Sequence, residues 1–261
     1  MTKDHRGTTA LITGASSGLG AEFAAQLARR GADLVLVARR EDRLRDLADR
    51  LEREHGVRVT VLAQDLARAD AAGALRAALD ARGIRIQTLV TNAGFGMKGA
   101  FADADPARIG EMVQVNVASL VAITREFLPD LVADGRGALV SIASTAAYQP
   151  CPNMAVYGAT KAFVLSFTEA LRYETRGSGL DVLCLSPGAT RTEFFDVVGG
   201  EGAAVGRMRT SEQVVALALR ELDRRNPAPS IVSGASNAVA ARLVRLVPRR
   251  FALAVSGRML A

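Results

Sequence analysis

The chain has 261 residues, 49% of them apolar, with 33 basic and 27 acidic side chains and a formal net charge of +6. That is enough chain for one sizeable α/β core, and no stretch approaches the roughly 18 uninterrupted apolar residues of a membrane-spanning helix. The charge excess is confined to the end: from Arg224 onward there are seven arginines and no acid, the rest holds 26 bases against 27 acids, and a nucleic-acid-binding body is excluded.

In chain order, the polar opening "MTKDHRGTT" lacks the apolar centre of an export leader and runs into the first predicted strand, "TTALIT" at 8–13. The turn after it, "TGASSGLG" at 13–20, fits two incompatible motifs. Gly14-Ala15-Ser16-Ser17-Gly18 is a G-x-S-x-G, the elbow that presents a serine nucleophile. Thr13-Gly14-x-x-x-Gly18-x-Gly20 is a glycine-rich turn of the kind that holds a dinucleotide pyrophosphate. The hydrolase needs a histidine after the serine to take its proton. His55 is the only one, and it ends a predicted helix in "EREHGVRV". A P-loop needs a lysine behind the glycines, and none follows. The dinucleotide reading is mechanically consistent. Gly14 turns the chain off the strand, Gly18 lets backbone approach phosphate, and Gly20 lets the helix "AEFAAQLARRG" pack close with its positive end toward the ligand.

The second strand, "ADLVLVA", ends at Ala38 and is followed by Arg39 and Arg40 ahead of the helix "EDRLRDLADRLEREHG". The third, "VRVTVLA", leads to Asp65 and Leu66; the fourth, "IQTLVT", leads to Asn92-Ala93-Gly94, with Phe95 and Met97 beyond. Asn116 falls on a helix before the fifth strand, "GALVSIA", which leads to Ser144 and Tyr148. The helical pattern "NMAVYGATKAFVLSFTEALRYETRG" puts Tyr157 and Lys161 one turn apart on one face. Lys161 is one of three lysines in an arginine-dominated chain, which points to a need for an ammonium there. The sixth strand, "LDVLCLS", precedes Pro187-Gly188, Thr190 and Thr192, then "EFFDVVGGEGAAVGRM", an apolar and then glycine-rich cover with Phe194 and Phe195 facing inward. "PSIVSG" is the seventh.

Continuous apolar strands alternating with helices of i, i+3, i+4, i+7 periodicity predict a Rossmann-type, doubly wound parallel sheet of seven strands in an α/β/α sandwich. Ligands bind such sheets at the C-terminal strand edge, where these groups fall apart from Asn116, Tyr157 and Lys161 on helices. Cys151 and Cys184 form no C-x-x-C, and two histidines leave no Cys/His metal site, so two reduced thiols in a cytoplasmic protein are expected.

The conjunction of the glycine turn, Asn92-Ala93-Gly94, Asn116, Ser144, Tyr157-x-x-x-Lys161 and Pro187-Gly188 resembles the short-chain dehydrogenase/reductase family, from about Thr8 to Ser233. The resemblance implies a catalytic tetrad of Asn116, Ser144, Tyr157 and Lys161. Tyr157 would pass its phenolic proton to a carbonyl as hydride arrives from a nicotinamide, or take one in the alcohol direction. Lys161 would lower the Tyr157 pKa and bond the nicotinamide ribose, Ser144 would bond the substrate oxygen, and Asn116 would hold a water relaying protons to Lys161. Ala38 stands where NAD enzymes of the family carry an acid, and Arg39 and Arg40 suit a 2′-phosphate, with Ser16 and Ser17 as added donors, so NADP(H) is the expected cofactor. Asp65 matches the family's adenine acid, with Leu66 offering backbone. Gly14, Gly18, Leu19 and Gly20 belong to the pyrophosphate turn, and Pro187, Gly188, Thr190 and Thr192 to the loop that clamps the carboxamide. Thr91 replaces the commoner asparagine before Asn92.

Phe95, Tyr148 and Phe194, with Met97, suggest an apolar pocket beside Ser144 and Tyr157 for a small carbonyl or alcohol substrate. The expected organisation is one domain over residues 1–235, including a cover at about 190–210, and a basic amphipathic segment over 236–261. In that segment Arg242, Arg245 and Arg249 form one stripe, Val239, Leu243 and Leu246 another, and Pro248 interrupts the helix. Two readings stand: packing in the homodimer or homotetramer usual for the family, or peripheral contact with an anionic membrane. The competing function is a non-catalytic dinucleotide sensor acting through a partner, a class that loses the Tyr or Lys kept here.

Overall fold

The computed structural model describes residues 3–198 and 208–260. The glycine-rich part of the expected cover, 199–207, lies outside the described residues. In chain order the elements begin with β1 (Thr9–Thr13), α1 (Gly18–Arg29), β2 (Asp33–Ala38), α2 (Glu41–His55), β3 (Val59–Ala63), α3 (Ala71–Asp80) and β4 (Thr88–Thr91). They continue with α4 (Pro106–Val113), a π-helical stretch Gln114–Ser119, α5 (Leu120–Asp134), β5 (Ala138–Ile142), a 3₁₀ turn Thr145–Tyr148, α6 (Ala155–Glu174) and β6 (Asp181–Ser186). The last are β7 (Thr190–Arg191), α7 (Phe194–Val198), β8 (Arg209–Thr210), α8 (Ser211–Leu222), β9 (Ser230–Val232), α9 (Ala235–Leu243) and α10 (Arg249–Leu260).

Seven strands form one sheet in the order β3-β2-β1-β4-β5-β6-β9, and every pairing in it is parallel. The apolar strands alternate faces. On β1 and β2, Ile12 and Leu36 pack toward α1, α2 and α8, whereas Leu11 and Val35 pack toward α3 and α5. Both faces are therefore core, which is why the strands read as unbroken apolar runs. The fold is the expected Rossmann-type sandwich.

Strand order reverses between β1 and β4, so the connections on either side lead away in opposite directions and leave a crevice at the C-terminal ends of these two strands. The glycine turn sits there. Gly14 has φ +65, a region that side chains other than glycine rarely adopt. A Cβ on Gly20 would lie 2.3 Å from the Gly14 carbonyl oxygen, so α1 can start this close to the turn only with hydrogen at that position. No helix among the described residues is long and apolar enough to cross a membrane.

Candidate active site

α6 carries Tyr157 and Lys161 on its inward face, 7% and 6% exposed. The Lys161 ammonium donates to the Ile142 carbonyl at the end of β5 (2.8 Å) and lies 5.9 Å from the centroid of the Tyr157 ring. Ser144 follows β5 and caps the 3₁₀ turn, its Oγ accepting from Ala146 N (3.1 Å), while its side chain also hydrogen-bonds the Tyr157 hydroxyl. Burial dominates the titration of both α6 groups. It pushes the phenol up to about 12, with the Ser144 hydrogen bond pulling the other way, and brings the ammonium down to about 8. In the chain by itself, the Lys161 ammonium, directed at the Ile142 carbonyl, does not offset this desolvation of the phenol.

Asn116 lies in the π-helical stretch, where one residue more per turn re-aims the side chain. Its Oδ1 accepts from Phe95 N (3.0 Å), and its Nδ2 donates to Phe95 O (2.9 Å) and Thr160 Oγ1 (3.1 Å). Thr160 in turn donates to the Tyr157 carbonyl (2.8 Å). Asn116 thus ties the segment after β4 to the helix that carries Tyr157 and does not line the crevice itself.

A single crevice of about 490 Å³ runs from Arg39 and Arg40 to Tyr157 and Lys161. It is lined by Gly14, Ser16, Ser17, Gly18 and Leu19 from the first turn, by Asp65 and Leu66, by Asn92, Ala93 and Gly94, and by Pro187, Gly188, Thr190 and Thr192. Gly20 is the exception among the expected cofactor residues: it serves packing, not lining. Arg40 converges with the serines, its Nη2 donating to Ser16 Oγ (3.0 Å) and Ser17 Oγ (2.9 Å) and its Nη1 to Glu193 (2.8 Å). Because the serine oxygens accept from Arg40, their hydroxyl protons are left to donate elsewhere. Arg43 also donates to Glu193, and the two guanidiniums hold that carboxyl down at about 2. Arg39 points across to Glu111 of α4 (3.3 Å), which also accepts from Arg108. The donor set fits an anionic dinucleotide. α1 begins with no side-chain cap and no acid in its first turn, a guanidinium and two hydroxyls stand at one end, and β2 ends at Ala38 with arginines at the next two positions.

At the Tyr157 end the walls are apolar. Phe95, Cys151, Met154 and Phe194 line the crevice. The Phe194 ring lies 5.4 Å from that of Tyr157, and Phe195 meets Phe194 edge-on at 5.6 Å. Met97 packs with this cluster without lining the crevice. Tyr148 is a correction: it does not line the crevice. The 3₁₀ turn carries it into the neighbouring cluster with Leu120 and Val164, its hydroxyl bonds Ser186 Oγ (3.3 Å), and Arg245 covers its ring. Met154, Glu193 and Glu111 carry no site expectation from the sequence, and Cys151 is expected there only as a reduced thiol. Only Glu193 carried any signal there, as the residue directly after Thr192.

The family model described as short chain dehydrogenase matches residues 8–200. Sulfoacetaldehyde reductase 2 of Chromohalobacter salexigens is 40% identical over 197 residues, 74% of this chain and 77% of that protein. The 7beta-hydroxysteroid dehydrogenase of Clostridium sardiniense is 31% identical over 190 residues, 73% of this chain and 72% of that one. Among solved structures, a short-chain dehydrogenase from Sphingobium yanoikuyae in complex with NADPH superposes with a TM-score of 0.82 at 38% identity, covering 95% of each chain.

Proposed function

The chain belongs to the short-chain dehydrogenase family of oxidoreductases, and from that premise we propose that it is an NADPH-dependent reductase interconverting a carbonyl and a secondary alcohol. One observation carries this reading: the same crevice holds Arg40 with Ser16 and Ser17 at one end and Ser144, Tyr157 and Lys161 at the other. The NADPH bound to the Sphingobium yanoikuyae enzyme supports the cofactor.

A bound reduced nicotinamide supplies the hydride. The chain's own residues do the rest. Arg40, Ser16 and Ser17 grip the 2′-phosphate, and the first turn of α1 faces the pyrophosphate. The Ser144 hydroxyl bonds the substrate oxygen and steadies the negative charge that grows there. Tyr157 gives its phenolic proton to that oxygen. Burial pushes the phenol up to about 12, so it carries this proton at neutral pH. Lys161, brought down to about 8 by burial, would bond the nicotinamide ribose, and the proton Tyr157 gives up would be restored from solvent through a water held at Asn116 and then Lys161. Asn116 acts by positioning: its three hydrogen bonds hold Phe95 against α6.

The apolar walls of Phe95, Met154 and Phe194 favour an apolar substrate. The reading assigns residues 1–235 to one catalytic domain and 236–261 to an appended segment. It includes a homodimer or homotetramer, supported by the exposed Phe163 stacked on Phe167 along α6 (5.7 Å), and a cytoplasmic setting, supported by two buried, unpaired cysteines. The test is NADPH oxidation by purified protein against carbonyl compounds graded by polarity and chain length. Turnover should rise with apolar length, and Tyr157→Phe should abolish it while leaving NADPH binding intact. Near-normal turnover in that variant would overturn the mechanism.

A further inference from the structure

Ten large apolar side chains are exposed among the described residues, and six of them lie in the final segment: Val239, Leu243, Leu246, Phe251, Leu253 and Val255. They are arranged, not scattered. Val239, Leu243 and Leu246 follow at four- and three-residue steps along α9 and the turn after it. Phe251 and Val255 sit one turn apart on α10, whose Ala252 and Ser256 face inward. Arg242, Arg245, Arg249, Arg250 and Arg258 share this surface, all exposed, and none has a carboxylate partner among the described residues. The segment contains no acid at all.

Apolar and cationic groups presented together restrict what can cover them. A nucleic acid would pair the arginines and leave Leu246 and Phe251 in water. A second copy of the same surface, packed about a two-fold axis, would set arginines against arginines with no carboxylate to separate them. An anionic lipid surface satisfies both classes: its headgroups pair the guanidiniums while the apolar side chains enter the acyl boundary. We propose that α9, the turn at Pro248 and α10 dock the protein on an anionic bilayer. Docking is peripheral, because neither helix is long and apolar enough to span.

The contact is tied to the site. Arg245 lies 5.5 Å from the Tyr148 ring centroid, on the turn that Ser144 caps. Docking therefore involves a segment that packs on the turn capped by Ser144. The docking itself does not depend on the proposed reaction, and its test needs no turnover.

The full chain is sedimented with vesicles of phosphatidylcholine plus phosphatidylglycerol and with vesicles of phosphatidylcholine alone. Binding is expected to the anionic vesicles only, and to weaken as salt rises. The double variant Arg242→Gln/Arg249→Gln should bind about thirtyfold more weakly, at about fivefold per surface arginine. Leu246→Ser/Phe251→Ser should lose binding too, which a purely electrostatic contact would not show. Light scattering without lipid keeps the alternative in view: the parent mass in both variants supports docking. Equal binding to both vesicles, no binding to either, or a fall in mass for Leu246→Ser/Phe251→Ser would overturn it, the last by identifying a subunit contact.

Discussion

Arg40→Gln separates the phosphate of NADPH from everything else the two nicotinamide cofactors share. In the structure the Arg40 guanidinium is already engaged by Ser16, Ser17 and Glu193. A charge-assisted hydrogen bond to phosphate contributes about 1.5–3 kcal/mol. Against this stands the Arg40–Glu193 pair, which must loosen. Its side chains are 40% and 42% exposed, so solvent screening limits it to about 1 kcal/mol or less. The net contribution of Arg40 to NADPH binding is therefore about 0.5–2 kcal/mol, a loss of roughly two- to thirtyfold in the variant. NADH offers that side chain no phosphate, so its affinity should change by less than about threefold by the same arithmetic. The assay is equilibrium titration of each cofactor by nicotinamide fluorescence. Equal weakening of both, or none, would refute the assignment of the phosphate to Arg40.

Two further outcomes follow from the same geometry. Glu193→Gln removes the carboxylate that competes for Arg40 and Arg43, so NADPH should bind about threefold tighter while NADH is unaffected, measured by the same titration; weaker NADPH binding would mean that Glu193 closes over the cofactor instead. Lys161→Met should abolish turnover yet stabilise the fold at neutral pH, by roughly 2–3 kcal/mol for a group brought from 10.5 to about 8 by burial. The sign is set by proton counts: between pH 8 and 10.5 the unfolded chain holds a Lys161 proton that the folded one has released, so this group costs less stability as pH rises, while the buried thiols of Cys151 and Cys184 lose stability above pH 9 in parent and variant alike. Denaturant melts at several pH values should therefore show the stability difference between Lys161→Met and the parent shrinking from pH 8 to 10.5.

What was legible in the sequence was whatever depends on local pattern. Apolar strands such as "LDVLCLS" announced burial on both faces, and Tyr157 with Lys161 at one helical turn announced a shared face. Gly14 and Gly20 announced a tight approach that the backbone bears out. What was not legible depends on contacts between distant segments or on a small rotation. Arg40 and Glu193 are 153 residues apart, and nothing near either one names the other. Tyr148 sits on a turn of four residues, where a change of one position redirects a side chain from the crevice onto a neighbouring packed cluster. The π-helical stretch that aims Asn116 at Phe95 has no composition of its own; "QVNVAS" would pass for ordinary helix.

The site is also where the chain departs from the rule that sequence preferences and structural environment agree. A lysine and a phenol are both buried beside the apolar ends of β5 and α6, and burial works against the charged state of each. Stability alone would select methionine and phenylalanine. Retaining the polar pair is understandable only if charge arrives from outside the chain: a substrate oxygen that becomes anionic needs the Tyr157 proton, and an anionic dinucleotide repays the buried Lys161 ammonium. On this argument the ligand-free site is a strained half of a larger electrostatic unit. NADPH should then raise the melting temperature of the parent more than that of Lys161→Met at equal occupancy, because only the parent has a buried charge to neutralise.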